Sequence, residues 1–418
     1  MKKYFKYLIA HPLFSGSFLM VGGAMAINVV NYLYHLIMGR VLGPVDYGVL
    51  ASLYSILYIT SVIPVSTSVA IVKFISQTKT AQERVSVYKS INLFVLKLAA
   101  VIGFSVIIFS PFIAKFLKID DFLEVAIVGP IIFLSLVTLV NQSTLQGVLK
   151  FIGVVGPGFV SSLGKLIIGL ILVFLGYSVM GAMWGVLIGA ASAYFYSRFL
   201  IKPIIDSTNP RKFKLGLFFK YSLPVFIQAV AFSSFFTTDV ILVKHFFSPF
   251  EAGLYAALST LGKIIFFATS PVTATMFPII AGRSARGEKY SKILFVSIGT
   301  TAFLAFGILF IYYLFPDIAI NLLYGSQYLA ARESLVWMGL FITFYSIAYL
   351  IVNFFLSIGR TKIAYLPLLF SSLQVGIIWF YHPSIKSVVQ ISLSLMVLLC
   401  LALAPFLRYN RSRSYEKR

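Results

Sequence analysis

Apolar runs of about 20 residues recur along the whole chain and are separated by short polar segments. A run of that length lets an α-helix cross roughly 30 Å of hydrocarbon. Alternating strands of about 10 residues, which are typical of a membrane β-barrel, do not occur in this pattern. We therefore predict an all-α polytopic membrane protein. Its transmembrane helices, about twelve in number, are expected at 13–38, 47–72, 90–114, 122–147, 153–176, 178–197, 217–243, 252–280, 293–315, 334–357, 363–381 and 388–407.

Composition supports a membrane location. Apolar residues make up 60% of the chain and charged residues only 11%, whereas soluble domains carry about 25% charged residues. A soluble protein of this length could not bury so much apolar surface. The first apolar run has no clear small-residue cleavage site, so we interpret it as a retained helix rather than a signal peptide.

The net charge of +22 is distributed unevenly between the two sides of the membrane. Most lysines and arginines fall in segments that would share one side, above all the 198–220 region and the C-terminal tail. This positive-inside bias predicts a plasma (inner) membrane protein with both termini in the cytoplasm. The basic loops are expected to contact anionic membrane lipids, and the charge does not require a nucleic-acid partner.

A short motif occurs in each half of the chain, as GPVDYG at 43–48 and SPFEAG at 248–253. Glu83–Arg84 and Glu288–Lys289 keep the same offset of 205 residues. The pattern predicts two parallel six-helix bundles around a central cavity, at 1–200 and 217–418, joined by a cytoplasmic linker at 201–216. Pro-x-acid-x-Gly is also typical of a turn that begins a helix. We call the following residues the repeated motif: Pro44, Asp46, Gly48, Pro249, Glu251 and Gly253.

The sequence around the first motif, GRVLGPVDYGVLASLYSI (39–56), resembles the first outer loop and second helix of the polysaccharide flippase family. The segment DVILVKHFFSPFEAGLYAAL (239–258) is similar to the corresponding region of its second half. That family belongs to the superfamily of multidrug, oligosaccharidyl-lipid and polysaccharide exporters. The resemblance implies alternating-access transport of a lipid-diphosphate-linked oligosaccharide from the inner to the outer leaflet. It also implies a functional outer-loop motif that includes Arg40, and a cavity lined by helices 1, 2, 7 and 8.

Polar side chains follow one face of each of these four helices. Residues of one stripe are spaced by three or four positions or by whole turns, which places them on the same face. Such stripes favour a hydrated cavity, although polar residues also join packed membrane helices. The candidate substrate-binding residues in the stripes are Asn28, Asn31, Tyr58, Gln228 and Ser259.

Charged residues inside the predicted helices are the sharper signal. A central lysine costs roughly 2.5–3.5 kcal/mol to insert, so Lys165 and Lys263 should face protein or water. Both are added to the substrate-binding candidates, because a cationic cavity suits a diphosphate. Asp239 lies nearer the outer end of its helix and is the candidate for ion coupling.

Two other functions remain open. A cation-coupled multidrug antiporter of the same fold would use Asp239 with H⁺ or Na⁺. A membrane enzyme of polysaccharide assembly would be expected to cluster acid and base residues, but the four histidines are scattered. We therefore expect a transporter and not an enzyme, with no cofactor and no metal site. The single cysteine, Cys400, is expected to pack in the last helix, and the protein is expected to be a monomer.

Overall fold

The computed structural model describes the backbone of residues 12–205 and 215–416. Within these ranges the chain is all-α and contains no strand. The central part of the predicted 201–216 linker lies outside the described residues, as do residues 1–11 at the N-terminus. The all-α prediction is confirmed.

The helices follow the apolar runs, with short turns between them. Two 3₁₀ turns, Ser326–Ala331 and Thr361–Ala364, and one π-helical turn, Val173–Tyr177, connect or extend them. In chain order the helices are α1 Pro12–Thr60, α2 Val62–Ser76, α3 Ala81–Leu117, α4 Phe122–Ala126, α5 Val128–Gly147, α6 Ile152–Leu172, α7 Ser178–Ile205, α8 Leu215–Phe246, α9 Pro249–Ala285, α10 Ser291–Leu314, α11 Pro316–Leu323, α12 Arg332–Ser357, α13 Tyr365–Phe380 and α14 Ile385–Glu416.

Ten apolar helical stretches in the described residues are long enough to cross a membrane. Two of them, 22–60 and 152–205, are 39 and 54 residues long and exceed a single crossing. Each is interrupted by a glycine with positive φ, Gly43 at 76° and Gly176 at 93°. Glycine adopts this conformation without the steric cost that a Cβ imposes. Each long stretch therefore supplies two crossings, in agreement with the prediction of about twelve in this multi-pass membrane protein.

The chain packs into two compact units. The first comprises residues 1–42 and 56–226, and the second comprises 43–55 and 227–418. In the first unit α6 packs along α7, and α3 along α5; in the second, α12 lies between α9 and α14. The segment 43–55 packs with the second unit, although the repeat assigned it to the first half of the sequence.

One helix-ending turn has the same backbone hydrogen bonds in both units, at 145–150 and at 355–360. After α5 the Lys150 N–H donates to the Leu145 carbonyl at 2.9 Å, and after α12 the Arg360 N–H donates to the Phe355 carbonyl at 2.9 Å. The residue before each cation has positive φ, 60° at Leu149 and 80° at Gly359. This is the Schellman helix end, which satisfies carbonyls that the helix leaves unpaired. We call these two segments the basic turns.

Candidate functional site

The repeated motif begins two helical segments of the second unit. At the start of α9 the Ser248 hydroxyl accepts from the Glu251 N–H at 3.3 Å, and the Glu251 carboxylate accepts from the Ser248 N–H at 3.1 Å. This capping box has Pro249 at the first helical position, where a missing N–H costs nothing. In α1 the helix resumes at Pro44 after the break at Gly43. Proline therefore begins a helical segment at both places, and at α9 the acid of the motif caps the helix.

The glycines of the motif allow these two helix starts to touch. A Cβ on Gly48 would lie 2.9 Å from the Gly253 nitrogen. A Cβ on Gly253 would overlap the carbonyl oxygen of Pro44. Only hydrogen fits at both positions, so the glycines permit a close backbone crossing.

A buried tyrosine group secures the 43–55 segment beside α9. The Tyr47 hydroxyl lies 3.1 Å from the hydroxyls of both Thr260 and Tyr324. The rings of Tyr47 and Tyr328 meet edge to face with centroids 6.4 Å apart. The sequence pattern does not single out this group, although Tyr47 stands inside the first motif. The geometry gives the motif a structural role; its predicted functional role stays a prediction.

A buried carboxylate and a buried ammonium occupy the interior of the second unit. Asp239 is only 1% exposed and accepts a 2.6 Å hydrogen bond from the Tyr255 hydroxyl. The Val240 N–H also donates to it at 2.8 Å. Lys263, two turns after Tyr255 on α9, is 9% exposed and interacts electrostatically with Asp239. The predicted stripe residues Ser259 and Gln228 are likewise buried in this unit.

Lys263 rests on an aromatic surface. Its Nζ lies 4.6 Å from the centroid of the Phe236 ring, which is a cation–π contact. Phe236 in turn stacks on Tyr345 at 5.3 Å, and the Tyr345 hydroxyl donates to the Phe232 carbonyl at 3.1 Å. The sequence pattern does not distinguish these aromatic residues, because their helical spacing is also that of an ordinary core. Together they form the aromatic group of the second unit: Phe232, Phe236, Phe266, Tyr345 and Tyr349.

The first unit holds a comparable cation. Lys165 on α6 is 8% exposed, and its Nζ lies 4.6 Å from the centroid of the Tyr34 ring. The Tyr34 hydroxyl donates to the Ala182 carbonyl at 3.2 Å, which fixes the ring. One turn before Lys165, the Ser162 hydroxyl donates to the Asn31 side-chain oxygen at 3.1 Å. The predicted residues Asn31 and Lys165 therefore belong to one contact region between α1 and α6.

Glycines set the position of Lys165. A Cβ on Gly185 of α7 would lie 2.9 Å from the Lys165 carbonyl oxygen, and one on Gly189 would lie 3.2 Å from its nitrogen. Such close backbone approach is typical of small residues between membrane helices. The other two candidates of this unit are more exposed than Lys165: the Asn28 side chain is exposed and Tyr58 is half-buried.

The predicted site residues thus divide between the units. The first contains Asn28, Asn31, Tyr58 and Lys165, and the second contains Gln228, Asp239, Ser259 and Lys263. Each group includes a buried lysine on an aromatic ring. A cation–π contact stabilises an ammonium without cancelling its charge.

Comparisons with known proteins identify the family of this chain. The polysaccharide biosynthesis protein family matches residues 37–333 of this chain. An uncharacterized membrane protein of Methanocaldococcus jannaschii is 26% identical over 367 residues, covering 81% of this chain and 83% of that protein.

Solved structures share the fold. A multidrug resistance MATE family transporter of the MOP superfamily, inward-facing, has a TM-score of 0.72 at 15% identity over 92% of this chain and 96% of its own. The lipid II flippase MurJ, inward closed, gives 0.71 at 17% identity over 93% and 87%. A MOP superfamily transporter from Pyrococcus furiosus gives 0.64 at 14% identity over 96% and 97%. The family match and this fold confirm the resemblance seen in the repeated motif.

Proposed function

We propose that this chain, which belongs to the polysaccharide biosynthesis protein family, carries a lipid-diphosphate-linked oligosaccharide from the inner to the outer leaflet. The fold that it shares with transporters and with a lipid flippase supports transport rather than catalysis. The nature of the cargo is inferred from the charged and polar side chains inside the two units.

The buried lysines are the observation that carries the proposal. A lysine at the centre of a membrane helix costs roughly 2.5–3.5 kcal/mol on insertion scales. Lys165 and Lys263 both lie on aromatic rings at 4.6 Å, which offsets part of that cost without neutralising the ammonium. A diphosphate needs such cations to leave water, because charge-assisted hydrogen bonds to phosphate are stronger than neutral ones.

The neighbouring side chains fit the neutral part of such a cargo. Asn31 and Ser162 offer amide and hydroxyl groups near Lys165, and Ser259 and Gln228 do so in the second unit. Amide and hydroxyl groups both donate and accept hydrogen bonds, as sugar hydroxyls require. In the proposed transport cycle, alternating access brings the cargo to the outer leaflet, and both chain termini remain in the cytoplasm.

The test is a flipping measurement with the purified full chain in liposomes. The liposomes contain a short polyisoprenyl-diphosphate oligosaccharide with a fluorophore on the sugar, and an impermeant quencher reports the outer-leaflet fraction. Lys263→Gln should lower the flipping rate about tenfold or more, because a charged contact is lost. Lys263→Arg should keep part of the rate, and Lys165→Gln should also be slow.

Lys289→Gln is the matched control, since Lys289 is an exposed cation in the turn after α9. It should flip the lipid at the wild-type rate. No movement of the labelled lipid by the wild-type protein, or a wild-type rate for folded Lys263→Gln, would contradict the proposal.

The cation-coupled antiporter is the second candidate, and one observation favours it. Asp239 is a buried carboxylate hydrogen-bonded to Tyr255, which is an arrangement able to exchange a proton or Na⁺. Under this alternative, a pH or Na⁺ gradient would drive a small lipophilic cation out of liposomes. Gradient-driven efflux without movement of the labelled lipid would support the antiporter.

A further inference from the structure

The second basic turn opens into a large cavity. The cavity has a volume of about 1000 Å³ and lies between the end of α12, the start of α13 and the Pro405–Phe406 stretch of α14. None of its lining residues belongs to the group around Asp239 and Lys263. Its volume is at the upper end of the range of small-molecule sites.

The walls of this cavity are mostly apolar. Phe355 is buried, and its ring meets that of Phe406 edge to face at 6.3 Å. Leu366 and Leu369 of α13 complete the wall. Tyr365, itself a lining residue, is 58% exposed and Leu369 is 55% exposed.

The apolar surface continues along α13 beyond the cavity. Leu369, Leu373 and Ile377 repeat at every fourth residue and are all exposed. This ridge rises roughly 18 Å from Tyr365 to Ile377 at 1.5 Å per residue. Trp379, also exposed, lies at the far end, where an interfacial tryptophan is expected. The ridge has the length and position of an acyl-chain contact.

The mouth of the cavity is cationic. Arg360 and Lys362 both line it, and its described lining includes no acidic side chain. Gly359 has φ of 80°, so the chain reverses at the helix end and brings both cations next to the apolar wall. A membrane-boundary pocket with clustered cations is suited to an anionic lipid headgroup.

The first unit provides a comparison within the same molecule. Its basic turn carries Lys150 and borders a cavity of about 410 Å³, in which Arg84 and Thr78 take part. That cavity has no aromatic side chain among its described lining residues. The same backbone turn therefore does not by itself create a large apolar pocket. The pocket beside Arg360 depends on the side chains of the second unit.

We propose that this cavity binds one anionic phospholipid of the surrounding membrane. Its phosphate lies on Arg360 and Lys362, and one acyl chain follows Phe406, Leu366 and Leu369. A zwitterionic lipid binds more weakly, because its own cation competes for the phosphate. This site is independent of the transported cargo and does not rest on the proposed function.

Native mass spectrometry of the delipidated full chain in detergent tests the site. The probe is dioleoylphosphatidylglycerol, and the comparison lipid is dioleoylphosphatidylcholine. One saturable adduct is expected with the anionic lipid. The double variant Arg360→Gln/Lys362→Gln should bind it about 30-fold more weakly, because each cation contributes about fivefold near a lipid surface.

Two control variants separate the pocket from general surface charge. Lys289→Gln/Lys292→Gln removes two exposed cations that do not line the cavity and should bind like wild type. Arg360→Lys/Lys362→Arg keeps the charge and should keep most of the affinity. Equal losses in both Gln double variants would overturn the proposal, as would equal affinity for the two lipids.

A second measurement does not depend on variant folding. Phosphatidylglycerol with a diazirine in one acyl chain should, on illumination, crosslink to wild-type peptides that contain 365–369 and 405–406. Glycerophosphoglycerol, which has the headgroup without acyl chains, should not compete. Crosslinks confined to other helices, or full competition by the headgroup alone, would rule out an acyl-chain site in this cavity.

Discussion

Asp239 is a residue whose burial requires an explanation. Its carboxylate is enclosed in the second unit, where it accepts from Tyr255 and from the Val240 N–H. A buried carboxylate is tolerated when it is hydrogen-bonded, and Lys263 of α9 is close enough to interact with it electrostatically. All of these partners belong to the second unit. A role in ion coupling and a purely structural role for Asp239 therefore predict different effects when its charge is removed.

We predict that Asp239→Asn inserts and folds normally but transports more slowly or loses its pH dependence. Asparagine has nearly the same shape, and its single side-chain oxygen can keep one of the two accepted hydrogen bonds, so the change removes the charge and one acceptor. Transport is measured in liposomes at several pH values between about 5.5 and 8, the range around neutrality in which proton coupling acts.

Tyr255→Phe is the matched control for that measurement. It removes the 2.6 Å hydrogen bond and leaves the carboxylate, so transport should still depend on pH. If Asp239→Asn transports like wild type at every pH, Asp239 has no coupling role and serves only as a hydrogen-bonding residue.

At this scale, the charges could be predicted and their partners could not. Lys165, Asp239 and Lys263 stand out because a charge in an apolar run is costly. Phe236 and Tyr34, on which the lysines rest, are two of many aromatic residues at helical spacing. Only packing between distant segments selects the rings that meet a lysine, and a single sequence does not contain that information.

Among the elements, the two helix starts explain the repeated motif. Pro249 begins α9 beside the capping box of Ser248 and Glu251, and Gly48 meets Gly253 across a backbone crossing. Each half of the sequence contributes one of the two helix starts, and the starts meet inside the second unit. Local sequence indicated both helix starts, since capping is a short-range property. It did not indicate that the two starts touch, because that pairing joins residues 205 positions apart.

Gly253→Ala should destabilise the protein, whereas Gly307→Ala should not. A Cβ on Gly253 would overlap the Pro44 carbonyl, which is backbone and can move only with its helix. Overpacking of this kind typically costs about 1–3 kcal/mol. Gly307 lies in α10 with no heavy atom within 4 Å of an added Cβ. Alanine there should be neutral or stabilising by about 0.5–1 kcal/mol, because it is the better helix former.

Both substitutions can be compared by thermal unfolding of the full chain in detergent, followed by size-exclusion fluorescence. The Gly253→Ala midpoint should fall by several degrees, and the Gly307→Ala midpoint should stay or rise. Equal midpoints for the two variants would contradict a close backbone crossing at Gly253.

The helices themselves were largely predictable, and the units were less so. Apolar runs mark the helices because every membrane crossing must be apolar, whatever it packs against. The assignment of 43–55 to the second unit depends on Tyr47, Tyr324 and Tyr328 meeting in one group. In the sequence, those tyrosines do not differ from the many others in the chain. The repeat therefore could not predict that 43–55 packs with the second unit.

For the whole molecule, the placement of charge predicts the orientation in the membrane. Cations predominate in the turn after α9, where Arg283 and Arg286 surround Glu288. The hydrogen bond from Arg286 lowers the pKa of the Glu288 carboxyl, so this acid stays ionised and paired. Because net positive charge resists translocation, we predict that this turn lies in the cytoplasm.

Labelling of introduced cysteines in intact cells tests this orientation. The variants Phe250→Cys and Lys289→Cys are made in a Cys400→Ala background, because Cys400 is the only native thiol. Phe250 is 44% exposed at the start of α9, and Lys289 is exposed beyond its end. Phe250 is preferable to Ser248, whose hydroxyl caps the helix.

A membrane-impermeant maleimide should label Phe250→Cys in intact cells and Lys289→Cys only after permeabilisation. The 37-residue α9 is long enough to place the two cysteines on opposite sides. Ser207→Cys, in the linker outside the described residues, should behave like Lys289→Cys because the same positive-inside bias applies to it. The reverse pattern would invert the orientation and, with it, the leaflet from which Lys165 and Lys263 are proposed to receive their cargo. Labelling of both Phe250→Cys and Lys289→Cys in intact cells would show that α9 does not cross the membrane.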